Sequence, residues 1–146
     1  LLKDYPSAEK VCLEGLTHNP NDIPLTKLLI ETLAKQGKER EMLKVWKEFY
    51  ATQKKASLDH DLLEKMAWGV IEKGNKSATP LVRLFSMLAA VFSQDIQGVH
   101  LLTRELKSDH SGIRAVALQL AAMLGDEMLK KPIKELFLRE KVFDVR

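Results

Sequence analysis

Residues 109–126 read DHSGIRAVALQLAAMLGD and give the clearest sign of how this chain folds. Their apolar side chains recur with a period near 3.6, the period of an α-helix, without the sustained alternation that is typical of a strand. Gly125 and Asp126 carry the chemistry that ends one helix and caps the next. The segment therefore predicts a helix at 111–124 that is closed by a short turn.

The same period runs through most of the 146 residues. Breaks with capping or stopping residues separate eight predicted helices, near 5–17, 22–36, 39–53, 58–73, 79–93, 96–107, 111–124 and 127–140. Ser57 is expected to cap the fourth helix, and Gly74 to follow its end. Short connections predict antiparallel neighbours. Seven glycines, five prolines and 6% aromatic residues argue against a many-stranded β domain, so we expect an all-α chain.

The C-terminal half repeats itself at the interval that separates Arg83 from Arg114, which we call the repeat offset. Arg146 follows Arg114 at nearly the same interval, and each of the three arginines is preceded by a β-branched apolar residue. Asp95 and Asp126 are also one repeat offset apart. One helical hairpin cannot bury both its apolar faces, so it stacks on a copy of itself. Equivalent positions then require the same residue types.

Segment 109–126 resembles the HEAT repeat in its short bacterial form. That family opens with Asp, continues with a hydrophobic residue and Arg, and has an alanine-rich helix ending in Leu-Gly-Asp. Residues 78–108 follow the same pattern with Gln94 in place of the glycine, and the pattern opens again at 142–146.

The N-terminal half resembles a degenerate tetratricopeptide repeat. Residues 5–20 look like its second helix, with Ala8, Cys12, Gly15 and Pro20 at the packing positions. Residues 21–38 fit a first helix and turn, although Thr26 stands where the family often has Trp. The resemblances imply tetratricopeptide-like repeats at 1–55 and HEAT-like repeats at 56–146. Together they imply one right-handed α-solenoid of about eight antiparallel helices, and we expect it to be part of a longer chain.

The residue inventory argues against catalysis, metals and cofactors. Cys12 is the only cysteine, so no internal disulfide or cysteine-based zinc site can form, and a reducing, cytoplasmic location is expected. The four histidines form no i, i+4 pair, and none precedes a Glu. His60 lies between two aspartates, where a helix cap is favoured over a metal site. We therefore expect a non-enzymatic protein with no cofactor and no metal.

The recurring arginines allow two interpretations. Arg83, Arg114 and Arg146 could form an anion clamp, or they could form a structural ladder with backbone carbonyls or with Asp95 and Asp126. The ladder is favoured, because stacked repeats contact only equivalent neighbours.

A candidate basic stripe lies on the two predicted second helices of the HEAT-like pairs. His100, Arg104 and Lys107 share one face by their spacing, and Lys131 follows His100 by one repeat offset, with Lys134 beside it. In HEAT-like stacks the second helices line the concave side. The alternative is an ordinary solvated face, since Glu105 and Glu135 lie close by.

The favoured function is a non-catalytic scaffold that binds a protein or peptide, acidic where it meets the stripe, on the concave face. A HEAT-like nucleic-acid module is the first alternative, although a net charge of +3 is low for one. A lyase-type enzyme, as in bilin lyases, is the second. No membrane span is expected, because the longest apolar run, 84–92, is interrupted by Ser86 and falls short of the roughly 18 to 20 residues that a bilayer requires.

Overall fold

The computed structural model describes residues 4–52, 59–142 and 145. The α-helices of this part of the chain are α1 (Tyr5–His18), α2 (Ile23–Gln36), α3 (Glu39–Thr52), α4 (His60–Asn75), α5 (Pro80–Phe92), α6 (Ile96–Glu105), α7 (Ser111–Leu124) and α8 (Lys130–Arg139). A short 3-10 turn, Glu127–Leu129, leads into α8. The described residues form no strand, so the prediction of an all-α chain with about eight helices is confirmed.

Side-chain capping explains where several of these helices begin. Carboxylates that accept a backbone N–H at a helix start include those of Asp4, Asp22, Asp95 and Asp126. Such a bond satisfies an amide that has no partner inside the helix. Ser57, the predicted cap of α4, lies outside the described residues, and Asp59 accepts the N–H of Leu62 at 3.1 Å.

Several helix ends differ from the predicted ones. Helix α4 continues through Gly74 to Asn75. Helix α6 ends two residues early, because the N–H groups of Lys107 and Ser108 bond to carbonyls three residues back and tighten the last turn. Helix α8 begins at Lys130 and not at residue 127, since Pro132 has no N–H for the carbonyl of Met128 and its ring crowds that oxygen.

The turns after α5 and α7 occupy equivalent repeat positions but differ in strain. Gly125 ends α7 with φ 66°, and Gln94, which stands one repeat offset earlier, has φ 52°. A left-handed conformation is unstrained for glycine but costs about 1–2 kcal/mol for other residues. Gln94 therefore stores strain that glycine at the same place would not.

We expect Gln94→Gly to raise the free energy of unfolding by about 0.5 kcal/mol, because relief of the strain exceeds the extra entropy of glycine in the unfolded chain. Gly125→Ala should lower it by about 1 kcal/mol through backbone strain alone, since an added Cβ meets nothing within 4 Å. Urea unfolding measures both. Gln97→Gly, at an exposed helical position, is the matched control and should destabilise. If Gln94→Gly and Gln97→Gly lower the free energy of unfolding equally, Gln94 is not strained in the wild-type protein.

Two compact units divide the chain, Leu1–Lys73 and Gly74–Arg146. In the first unit α2 packs against α1 and α3. A shared core adds α4 to them and consists of Cys12, Leu29, Ile30, Leu33, Ala34, Met42, Leu62 and Met66. A Cβ on Gly69 would lie 2.6 Å from the carbonyl oxygen of Ala34, so α4 approaches α2 closely. The structure thus places α4 up to Lys73 in one compact unit with the first three helices.

In the second unit α5 contacts both α6 and α7, α6 contacts α7, and the 3-10 turn contacts α6 and α8. Its buried apolar residues include Met87, Ala90, Val99, Leu101, Leu102, Leu106, Ile113, Ala117, Leu120 and Ala121. Ala90 and Ala121 are equivalent repeat positions, and both are buried. Among the described helices of the chain, none is long and apolar enough to cross a membrane.

Candidate partner-binding surface

His100 and Arg104 lie one turn apart on the exposed side of α6, and Lys107 follows them in the closing turn. The opposite side of the helix is buried through Val99, Leu102 and the adjacent Leu106. Residues three and four apart share one side of a helix. Because α6 buries the side that carries Val99 and Leu102, its basic side chains are exposed to solvent on the opposite side.

Lys131 and Lys134 are also exposed, on α8. The helix is anchored by Leu129 just before it and by Leu136, and both are buried. The repeat offset puts Glu135 at the position of Arg104 and Leu138 at that of Lys107. The stripe is therefore uniformly basic along α6 and mixed along α8.

Two acids lie close to the stripe in the sequence, Glu105 and Glu135, and Glu135 is exposed beside Lys134. Glu105 is buried, binds the Arg83 guanidinium, and accepts a hydrogen bond of 2.9 Å from Nδ2 of Asn75. Nε of Arg104 lies 3.6 Å from Oε1 of Glu105. Within the described part of the chain, the lysines of the stripe and His100 form no ion pair. The charges of the three lysines are therefore available to a partner.

Arg114 is held by a two-bond ion pair with Glu140. Its Nε and Nη2 donate to the two carboxylate oxygens at 2.6 and 2.9 Å, and Nη1 donates to the carbonyls of Ser108 and Asp109 at 2.9 and 3.0 Å. The Arg114 hydrogen bonds, aided by the backbone N–H of Val142, lower the pKa of Glu140 to about 2. The same pairing raises the pKa of Arg114.

The other residues of the proposed ladder have different roles. Arg83 binds Glu105 and the Ser108 hydroxyl. Asp95 and Asp126 cap helices, through bonds of 2.6 and 2.8 Å from backbone N–H groups two residues further on. Arg146 lies outside the described residues. Both described arginines of the set thus bind buried glutamates, which the sequence analysis did not identify.

A cavity of about 310 Å³ and mixed charge lies at the end of the predicted stripe, and Asp109, Arg114 and Glu140 are part of its lining. Lys107 lines it together with Arg139 and Lys141, neither of which the sequence analysis singled out. Arg139 donates from Nη2 to the carbonyl of Leu106 at 2.8 Å, which ties the end of α8 to the end of α6. The available signal was that Ser108 and Arg139 are one repeat offset apart. An argument from the faces of single helices does not find this cavity, because Lys107 and Arg139 meet where α6 and α8 end.

The remaining candidates have structural partners. Cys12 is buried, and burial raises the pKa of its thiol, so it is not a thiolate at neutral pH. Beside His60, Asp59 binds Lys27 at 2.6 Å and Asp61 binds Lys65 at 3.0 Å. Among residues 4–52, 59–142 and 145, no three His, Cys, Asp or Glu side chains are grouped to hold a metal ion.

Comparison with protein-family models, with curated proteins and with solved structures finds no match for this chain. The resemblance to HEAT and tetratricopeptide repeats therefore rests on the sequence motifs given above.

Proposed function

We propose that this chain is a non-catalytic protein-interaction module that binds an acidic protein or peptide. The observation that carries the proposal is the exposed basic stripe on α6 and α8, whose buried neighbour Glu105 is bound by Arg83. A partner with carboxylates opposite Lys107, Lys131 and Lys134 would meet cations that form no ion pair within the described residues. Complementary charge of this kind raises association rates and selects partners.

The packing of the second unit supports the finer architecture in this proposal. Helix α5 touches both the next helix and the one after it, as a helical hairpin does when it stacks on its successor. Continued stacking would form a right-handed α-solenoid with α6 and α8 on its concave side. The module would act in the cytoplasm without a cofactor.

Paired charge reversals test the proposal. Lys107→Glu with Lys134→Glu should weaken binding of a polyglutamate peptide about tenfold and slow its association, since exposed ion pairs contribute about 0–1 kcal/mol each and reversal adds repulsion. Stopped-flow fluorescence measures the rates. The melting temperature should stay nearly unchanged, because both lysines are exposed.

The matched control is Lys44→Glu with Lys47→Glu, which gives the same net charge and alters exposed lysines of α3. Equal weakening by both variants would show attraction to net charge only and would contradict the stripe. Tighter binding to random duplex DNA than to the peptide, falling steeply with salt, would favour the nucleic-acid alternative.

A further inference from the structure

A second surface of the C-terminal unit has the opposite character. A groove of about 600 Å³ lies between the turn that joins α5 to α6 and the turn that follows α7. Phe92, Ile96 and Met123 line it, with exposed fractions of 73%, 49% and 66%. Single exposed apolar residues are ordinary, but three around one groove form the kind of patch that marks an interaction site.

Repeat stacking explains how the groove arises. Phe92 and Met123 are equivalent positions, one repeat offset apart, and so are Asp95 and Asp126. Because α5 packs against α7, the two turns lie side by side, and each contributes one large apolar side chain and one aspartate. The groove is therefore built from the repeat itself and is not an irregular surface depression.

The charge of the groove favours one kind of occupant. Asp95 and Asp126 line it, and no Lys, Arg or His does. Each carboxylate uses Oδ1 to accept a backbone N–H, and within the described residues neither forms an ion pair. The other oxygen of each is free to accept a hydrogen bond from a cation. The lining thus combines an apolar wall with uncompensated negative charge.

We propose that this groove docks a partner segment in which an apolar side chain is flanked by lysine or arginine. The apolar side chain would lie between Phe92 and Met123, and the flanking cations would bind Asp95 and Asp126. This goes beyond the basic stripe, which selects acidic partners, because the groove selects basic ones. One scaffold would then carry two docking surfaces with opposite charge preference.

Selection from a library of random peptides of about 12 residues, which reach about 40 Å when extended, tests the proposal on the full chain. We expect enrichment of peptides with one aromatic or large aliphatic residue between basic residues. Amide chemical shifts on binding should change most at 92–97 and 123–128. No enrichment, or an enriched basic motif that maps elsewhere, would overturn the proposal. An acidic motif mapping to α6 and α8 alone would support the stripe and overturn the groove.

Two variants then separate charge from apolar contact. Asp95→Asn with Asp126→Asn keeps the helix caps, since Asn caps as well as Asp, and should weaken an enriched peptide about 3- to 30-fold. Glu41→Gln with Glu64→Gln removes the same charge at exposed positions outside the groove and outside the stripe, and should leave binding within about twofold. Phe92→Ala should weaken binding at least about tenfold. Equal effects of the two charge variants would overturn the proposal.

Sedimentation of the protein alone tests a second copy as the occupant. We expect a mass independent of concentration. Concentration-dependent association that Asp95→Asn with Asp126→Asn abolishes would assign the groove to self-assembly and overturn the partner proposed here.

Discussion

Arg114→Ala is expected to lower the free energy of unfolding by about 3 kcal/mol and Tm by about 10 °C. The Arg114 side chain is 14% exposed and that of Glu140 is 3% exposed, so the ion pair is largely removed from water. The substitution removes two bonds to the carboxylate and two to carbonyls, and it leaves Glu140 buried without its cation. Calorimetry and urea unfolding measure the loss.

Two controls accompany this variant. Arg40→Ala removes an exposed arginine and should change stability by less than about 0.5 kcal/mol. Arg114→Lys keeps the charge but cannot form the planar two-bond pair, and should lie between wild type and alanine. A loss of peptide binding at unchanged stability in Arg114→Ala would support the anion clamp and contradict the structural role.

The cost of Arg114→Ala should also depend on pH. Arg114 holds the pKa of Glu140 at about 2, below the ordinary value of 4.5. A carboxyl whose folded-state pKa is lowered contributes stability that is fully present above the unfolded pKa and is lost as the pH falls through the folded pKa. The difference between wild type and variant should therefore be constant above about pH 5 and shrink between about pH 4.5 and 2. A difference independent of pH would show that the ionic part of the contact contributes little.

Gly98→Ala is expected to destabilise the protein by about 2 kcal/mol, the middle of the range for overpacking. A Cβ at this position would collide with the carbonyl oxygen of Ala90, so α5 and α6 would have to move apart. Overpacking of this kind costs about 1–3 kcal/mol or more, and it outweighs the gain in helix propensity of about 1 kcal/mol. Chemical unfolding with a fluorescence readout measures the loss.

Gly112→Ala provides a control of opposite sign. The nearest atom to its Cβ would be Nδ1 of His110 at 3.5 Å, an ordinary contact. Alanine should therefore stabilise α7 by about 0.5–1 kcal/mol. Stabilisation by both substitutions would show that α5 and α6 separate without cost, and would contradict the close approach.

Much of the fold was predictable because helix signals are local. Helix α7 was predicted at 111–124 and is observed there, since apolar period, N-terminal start and the glycine at its end all lie within the segment. The start of α8 was predicted three residues too early, because the effect of Pro132 on an earlier carbonyl was not weighed. The exposed side of α6 also followed from spacing, although Lys107 falls in a turn and not in the helix.

The sequence alone predicts where the helices lie, because periodicity and capping act over about four residues. The two resemblances and the repeat offset also come from the order of residues. The partners of Arg83 and Arg114 do not, since they lie 22 and 26 residues away, on elements whose approach depends on helix packing. The same holds for the groove at Phe92 and Met123, which exists because α5 packs against α7. Residue order sets what each helix offers on its faces, and only packing in three dimensions decides which faces meet and which stay exposed to a partner.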